Sequence, residues 1–363
     1  MNQFDLSVEA DISQAFTLSS DFYTQAKIYE KSKEKIFTRN WQCIGRKSEM
    51  PAAGTVRPLN FLENCLDEPL MLSRDQEGEL RCLSNVCTHR GFVLVDEEKP
   101  CSEIRCRYHA RRFGLDGKFK TMPQFKEAKN FPAKSDDLPQ LDLKFLGELV
   151  FTAIDPAISF ESWLKPMLDR VGFMPFDEFV YYPEYSQTYE VNAHWALYCD
   201  NFLEGFHIPF VHPGLNEIVS FPDYEYEIFD HGSLQVGVAK GEDRAFDLPA
   251  GHPDSGRQIA AYWFWFFPNI MFNVYPWGLS LNLINPKGLN KTEIRFETYL
   301  WKAELFNAEN QDLLHLTEME DEAVVESVQM GVKSRLYNKG RFSPKQEVAV
   351  HHFHRLVSEA MKA

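Results

Sequence analysis

A chain of 363 residues that is 44% hydrophobic and 25% charged can bury the core of two ordinary domains or one large one, which excludes disordered and fibrous classes. Its formal charge of -15 excludes reliance on phosphate contacts, so no nucleic-acid partner is expected and a neutral or basic redox partner suits it better. The most apolar run, over 262–267, is far shorter than the ~18 residues that a membrane span needs, and 1–20 carries Asp5, Glu9 and Asp11 in place of a signal-peptide core, so no membrane and a cytoplasmic location are expected.

The first element in chain order is a helix over 21–39, with Ser19 or Ser20 to cap it and a face of Lys and Glu after Tyr23. From 41 to about 155, short apolar runs are broken by turn pairs such as Asp116 with Gly117 and Leu146 with Gly147, which predicts one all-β domain. Beyond Pro156 the pattern predicts a short helix over 163–171, a helix over 196–207, long aromatic strands within 233–301 and a helix over 308–331.

In a reducing cytoplasm the 7 cysteines serve as metal ligands or as packing. Cys87-Thr88-His89 is followed, after sixteen residues, by Cys106-Arg107-Tyr108-His109, so two separate turns each present one Cys and one His. A Rieske 2Fe-2S cluster needs this set, with two thiolates on one iron and two imidazoles on the other. The ligand count alone also permits a zinc site, yet zinc modules pair Cys with Cys and His with His. Cys43, Cys65, Cys82, Cys101 and Cys199 have no His at useful spacing and are expected to pack.

A second constellation lies over 200–212. In a helix Asp200, Glu204 and His207 share one face, and Pro209 stops the helix so that His212 folds back toward His207. Two imidazoles and one carboxylate form a facial triad that leaves open positions on Fe(II). The late helix offers the carboxylate: Val324, Val325 and Val328 form its apolar stripe and Asp321 falls on the same face, where an acid needs a cation to offset its desolvation. Glu320 is the alternative ligand.

With the Cys87 to His109 motif, the strand Trp41-Gln42-Cys43-Ile44-Gly45-Arg46, the run Asp200-Asn201-Phe202-Leu203-Glu204 and Phe267-Pro268-Asn269, the sequence resembles the Rieske non-haem iron oxygenases, oxygenase (alpha) component, and within them the choline and carnitine mono-oxygenase branch. The resemblance implies an α+β chain: a small all-β Rieske domain over 40–155, a larger helix-grip catalytic domain over 156–363 with a central antiparallel sheet and helices, and 1–39 as a helix packing on the catalytic domain. It implies Asp321 as third iron ligand, followed by Glu326 and Gln329. It gives Glu204 the role of a bridge to a Rieske His of a neighbouring subunit, where the family usually has Asp, and a homotrimer in which the cluster of one chain serves the iron of the next. Asp200 and Asn201 stand beside Glu204 as further catalytic candidates. The plainer readings are a solvated helix-face Glu204 and a first-turn acid at Asp200.

The expected cofactors are thus a Rieske 2Fe-2S cluster and Fe(II), and the expected partners a reductase or ferredoxin, O2 and a small organic substrate that is hydroxylated or oxidatively demethylated. The aromatic segment 262–277 reads either as sheet core or as a pocket for a quaternary amine or a flat ring. An aromatic-ring dioxygenase alpha subunit, a Rieske electron carrier without a second iron, and a zinc-stabilised binding module are the competing classes. His351, His352 and His354 read as a solvated or interface face of a terminal helix in preference to a metal tract.

Overall fold

Short apolar runs and two-residue turns set the architecture of the unit Trp41–Pro156. Its strands are β1 (Gln42–Arg46), β2 (Thr55–Phe61), β3 (Glu68–Arg74), β4 (Leu80–Ser84), β5 (Lys99–Pro100), β6 (Ile104–Arg105), β7 (Arg112–Phe113), β8 (Phe119–Thr121), β9 (Gln140–Leu141), β10 (Lys144–Leu146) and β11 (Leu149–Thr152). They form three antiparallel sheets, ordered β1-β11-β10, β5-β2-β3-β4-β9 and β6-β7-β8. Leu146 pairs with Leu149, so the hairpin turns in two residues, and Gly147 takes the left-handed φ of 53° that such a turn requires. Alternation along β3 feeds two cores: Met71 joins Val56, Leu83, Phe113 and both Cys87 and Cys106, whereas Leu70 and Leu72 join Phe61, Cys82 and Val150.

The computed structural model describes residues 4–214, 225–239, 245–306 and 309–362. Met1–Asn40 and Ala157–Ala363 form the other unit. Its helices are α1 (Asp21–Thr24), α2 (Ala26–Lys35), α3 (Phe160–Val171), α4 (Trp195–Phe202), α5 (Ile208–Val211), α6 (Glu309–Gly331) and α7 (Val348–Lys362). The single helix expected over 21–39 is broken at Gln25, whose ψ of 115° is extended. The break has a packing reason: Phe22 and Tyr23 are neighbours that are both buried, as are Ile28 and Tyr29, and one straight amphipathic helix cannot turn all four inward. Residue 308, the expected start of the late helix, lies outside the described residues.

The strands of this unit are β12 (Val180–Tyr181), β13 (Gln187–Val191), β14 (Glu225–Phe229), β15 (Gly232–Val238), β16 (Ile259–Phe266), β17 (Ile270–Tyr275), β18 (Gly278–Pro286) and β19 (Thr292–Leu300). They make one antiparallel sheet, ordered β12-β19-β18-β17-β16-β15-β14 with β13 also on β19. Along β16 the rings alternate. Phe266 packs on Trp163 of α3 at 4.7 Å and Tyr262 on Phe246 at 5.2 Å, while on the opposite face Trp265 packs on Phe353 of α7 at 5.2 Å. The register places Gln235, Trp263, Asn273 and Ser280 side by side across four strands of that second face. Among the described residues no helix is long and apolar enough to cross a membrane.

Candidate active site

Two loops of Trp41–Pro156 close in the same way. The Cys87 N–H donates to the Phe92 carbonyl and the Gly91 N–H to the Cys87 carbonyl; the Cys106 N–H donates to the Arg111 carbonyl and the Ala110 N–H to the Cys106 carbonyl. In both loops the fourth residue after the Cys has a left-handed φ, 69° at Gly91 and 59° at Ala110. The closures bring the loops together: Cys87 and Cys106 are both buried and in side-chain contact, and the His89 and His109 rings stand 4.9 Å apart. His109 Nδ1 is buried with no hydrogen-bond partner among the described residues. A buried pair of thiols beside two imidazoles, one with an orphaned nitrogen, fits a cluster that takes two sulfur and two nitrogen ligands. Arg111, also buried, pairs with Asp136 at 2.6 Å and anchors the second loop from behind.

In the other unit α4 does not run on to His207. It ends at Phe202, and a separate turn, α5, begins after His207 with Pro209 in its first turn. Pro209 therefore opens a helical turn instead of closing one, because a residue without an N–H is cheapest where that N–H has no helical partner. Glu204 lies in the intervening loop and accepts from the His207 backbone N–H at 3.0 Å. Asp200 departs from the shared face expected for it: it accepts from Tyr23 Oη at 2.9 Å and meets His354 Nε2 at 2.8 Å. The Leu18 N–H donates to His354 Nδ1, so the proton of that imidazole sits on Nε2 and is given to Asp200.

His207, His212 and Asp321 converge. Each offers one ligand atom, and these atoms all lie within 4.8 Å of one another. Asp321 Oδ1 is 3.0 Å from His212 Nε2 and 3.5 Å from His207 Nε2; donors at right angles on one small cation stand roughly 3 Å apart. The other nitrogen of each ring faces a second carboxylate, His207 Nδ1 to Glu204 at 2.6 Å and His212 Nδ1 to Glu320 at 2.7 Å. With Nδ1 of each ring turned to Glu204 or Glu320, it is Nε2 of each ring that faces Asp321 and would ligate a cation seated there. Burial opposes a charged His207, yet the hydrogen bonds to Asp321 and Glu204 outweigh it and push its pKa up to about 9. That field favours positive charge where the three side chains meet, as a divalent cation would supply.

Asp321 is thus placed between the two Nε2 atoms and Glu320 beside one ring's far nitrogen. The stripe that pointed to Asp321 differs from the one expected, however. Val328 is 43% exposed, and the buried line of α6 runs through Glu318, Val325 and Gln329. Glu326 accepts from the Asn192 N–H at 2.9 Å and Gln329 from the His194 N–H at 2.7 Å, tying α6 to the start of α4. The terminal histidines are not a solvated face: His351 and His354 are buried, and His351 and His352 hydrogen-bond the carbonyls of Glu9 and Phe229. They hold chain segments together, which a lone sequence run of His does not reveal.

A cavity of about 160 Å³ opens from this point and is lined by Glu204, His207, His212 and Asp321 together with Asn201, Tyr198, Trp263, Tyr275, Phe296, Asn273 and Glu318. The aromatic segment is therefore both things expected of it, Tyr262, Phe264 and Phe266 being core and Trp263 and Tyr275 cavity wall. Sequence reasoning missed Glu318, Tyr198 and the polar row Gln235, Asn273 and Ser280. Glu318 accepts from the Tyr198 hydroxyl at 2.8 and 2.6 Å, and burial raises its carboxyl well above the usual range.

The sequence pattern of the family described as Ring hydroxylating alpha subunit (catalytic domain) matches residues 179–363, and that of the Rieske [2Fe-2S] domain matches 40–132. The chain belongs to the ring-hydroxylating alpha subunit family. This Rieske non-haem iron oxygenase is 29% identical to the carnitine monooxygenase oxygenase subunit of Escherichia coli (strain K12), over 97% of this chain and 96% of that one. It is 26% identical to the chloroplastic choline monooxygenase of Arabidopsis thaliana, over 100% of this chain and 86% of the relative. Its fold matches the solved structure of a quaternary ammonium Rieske monooxygenase with a TM-score of 0.73 at 25% identity, covering 98% of this chain and 100% of the other. The oxygenase's cofactors are accordingly a Rieske 2Fe-2S cluster and Fe(II).

Proposed function

We propose that this Rieske oxygenase hydroxylates or oxidatively demethylates a quaternary amine, as the oxygenase component of a system in which a reductase or ferredoxin supplies the electrons. The observation that carries the reading is a cavity in which the meeting point of His207, His212 and Asp321 shares its walls with Trp263, Tyr275 and Glu318. An ammonium ion that cannot hydrogen-bond is held by ring faces and negative charge, and this cavity offers both. The likeness to carnitine and choline monooxygenases supports the same substrate class.

The residue roles in this proposal are specific. Cys87 and Cys106 hold one iron of the cluster, His89 and His109 the other, and His207, His212 and Asp321 hold the mononuclear iron. When bound, the cluster stores and passes single electrons and the mononuclear iron activates O2. Glu204 and Glu320 keep the Nδ1 protons in place so that both Nε2 lone pairs stay available. Asn201 lines the cavity beside them, whereas Asp200 works as a structural acceptor for Tyr23 and His354.

The domains run as a Rieske domain over 40–155 and a catalytic domain over 156–363 to which 1–39 belongs. The chain works as a homotrimer in the cytoplasm, with Glu204 linking His207 to a cluster imidazole of the neighbouring subunit. Phe206 and Phe210, on either side of His207, are 44% and 78% exposed, which is apolar surface of the kind an interface covers. The test is substrate-dependent oxygen uptake with a surrogate reductase, comparing carnitine, choline and aromatic acids. Uptake with a quaternary amine supports the proposal; uptake only with aromatic acids makes the chain a ring hydroxylase.

A further inference from the structure

Three acids line the cavity, and two of them are engaged by the histidines: Glu204 by His207 and Asp321 by His212. Glu318 has no basic partner among the described residues, and no Lys or Arg is among the lining residues. Its side chain is buried, and both of its oxygens depend on one hydroxyl, that of Tyr198, which is itself buried. One neutral donor does not offset the cost of taking a carboxylate out of water. A protein keeps so poorly compensated an acid in a cavity when something that enters the cavity completes it.

A second group in the same cavity also waits for a partner. Asn273, on β17, is 5% exposed and its Oδ1 has no hydrogen bond among the described residues. Trp263 and Tyr275 add ring faces, and the Trp263 indole N–H is spent on the Tyr275 hydroxyl at 3.0 Å, so these two side chains answer each other and leave Glu318 unanswered.

We propose that Glu318 is the counter-charge for the cationic head group of the substrate, so that the cavity selects a quaternary ammonium over a neutral molecule of the same shape. The inference rests on the quaternary-amine reading above and names the residue that enforces it. Glu318 stands one helical turn before Asp321 on α6, which ties the charge that fixes the substrate to the helix that carries the carboxylate of the meeting point. A cation seated there also returns the buried carboxyl to its ionised form. Tyr198 donates its hydroxyl to that carboxyl from α4.

The experiment measures binding of tetramethylammonium to the holoenzyme by calorimetry. Glu318→Gln keeps the volume and removes the charge, and it weakens binding by about tenfold or more. Tyr198→Phe removes the hydrogen bond and leaves the charge, and it stays within about threefold of wild type. The proposal is overturned if wild type does not bind the cation, if Glu318→Gln binds it as tightly as wild type, or if both variants lose binding equally. With choline as substrate, the preference for choline over its neutral isostere, in which a tert-butyl carbon replaces the nitrogen, falls in Glu318→Gln by the same factor as the binding. No turnover enters the calorimetry, so a failed oxygen-uptake screen removes the proposed reaction and leaves this measurement standing.

Discussion

His212 and Glu320 form the contact that orients the site: Nδ1 lies 2.7 Å from Glu320 Oε2 while Nε2 of the same ring lies 3.0 Å from Asp321 Oδ1. Two consecutive acids of α6 thus hold the two nitrogens of one imidazole. Side chains of adjacent helical residues diverge by about 100°, so the ring of His212, 1% exposed, is clamped in the angle between them.

Losing one arm of that clamp weakens the metal site without dismantling it. Glu320→Ala lowers Fe(II) affinity by roughly 10- to 100-fold, as removal of a carboxylate behind a ligating imidazole does elsewhere. Competition with an iron chelator measures it, and the cluster's absorption serves as an internal control that stays unchanged. Unaltered affinity would mean that Glu320 is a bystander.

Asp200 accepts from Tyr23 and meets His354, and its removal tests what those contacts do. Asp200→Ala strands the Tyr23 hydroxyl and the His354 Nε2–H, which can then meet only each other at 3.1 Å. The expected loss is about 1–3 kcal/mol of stability in chemical denaturation, with both iron sites still filled. Loss of the mononuclear iron in this variant would return Asp200 to the metal site.

Acid stability reports on His194, which is fully buried and whose pKa burial lowers to about 3. The unfolded chain takes up this proton near pH 6.5 and the folded chain does not, so the contribution is whole above that pH and is lost as pH falls toward 3. Denaturation midpoints are expected to fall by the equivalent of about 1.4 kcal/mol per pH unit across that window. His194→Asn, which keeps a capping acceptor at the head of α4, removes that part of the slope. An unchanged slope would place the acid sensitivity elsewhere.

The readable parts of the site were those written locally. Cys87 with His89 and Cys106 with His109 lie within single turns, and spacing alone shows them. Ala110 shows nothing in sequence, yet its left-handed φ lets the second turn close like the first. Asp321 was reached through helix phase, although the true buried line passes through Glu318 and Gln329 and only Val325 of the expected stripe is buried. Polar residues carry that line because each has a distant partner: Tyr198 for Glu318 and the His194 backbone for Gln329. Contacts such as His212 with Glu320 or Tyr23 with Asp200 span more than a hundred residues, and no periodicity in a single sequence encodes them. The same limit explains Pro209, whose role as opener or stopper depends on Glu204 and Gly205 having already left the helix.

Two separate iron sites in one chain underlie the proposed chemistry, and the iron-to-chain ratio of anaerobically purified protein tests them most directly. Wild type should hold about three irons per chain, Asp321→Ala about two with the cluster spectrum intact, and Cys87→Ser about one with that spectrum gone. A ratio that neither substitution changes, or zinc in place of iron, would contradict the proposal.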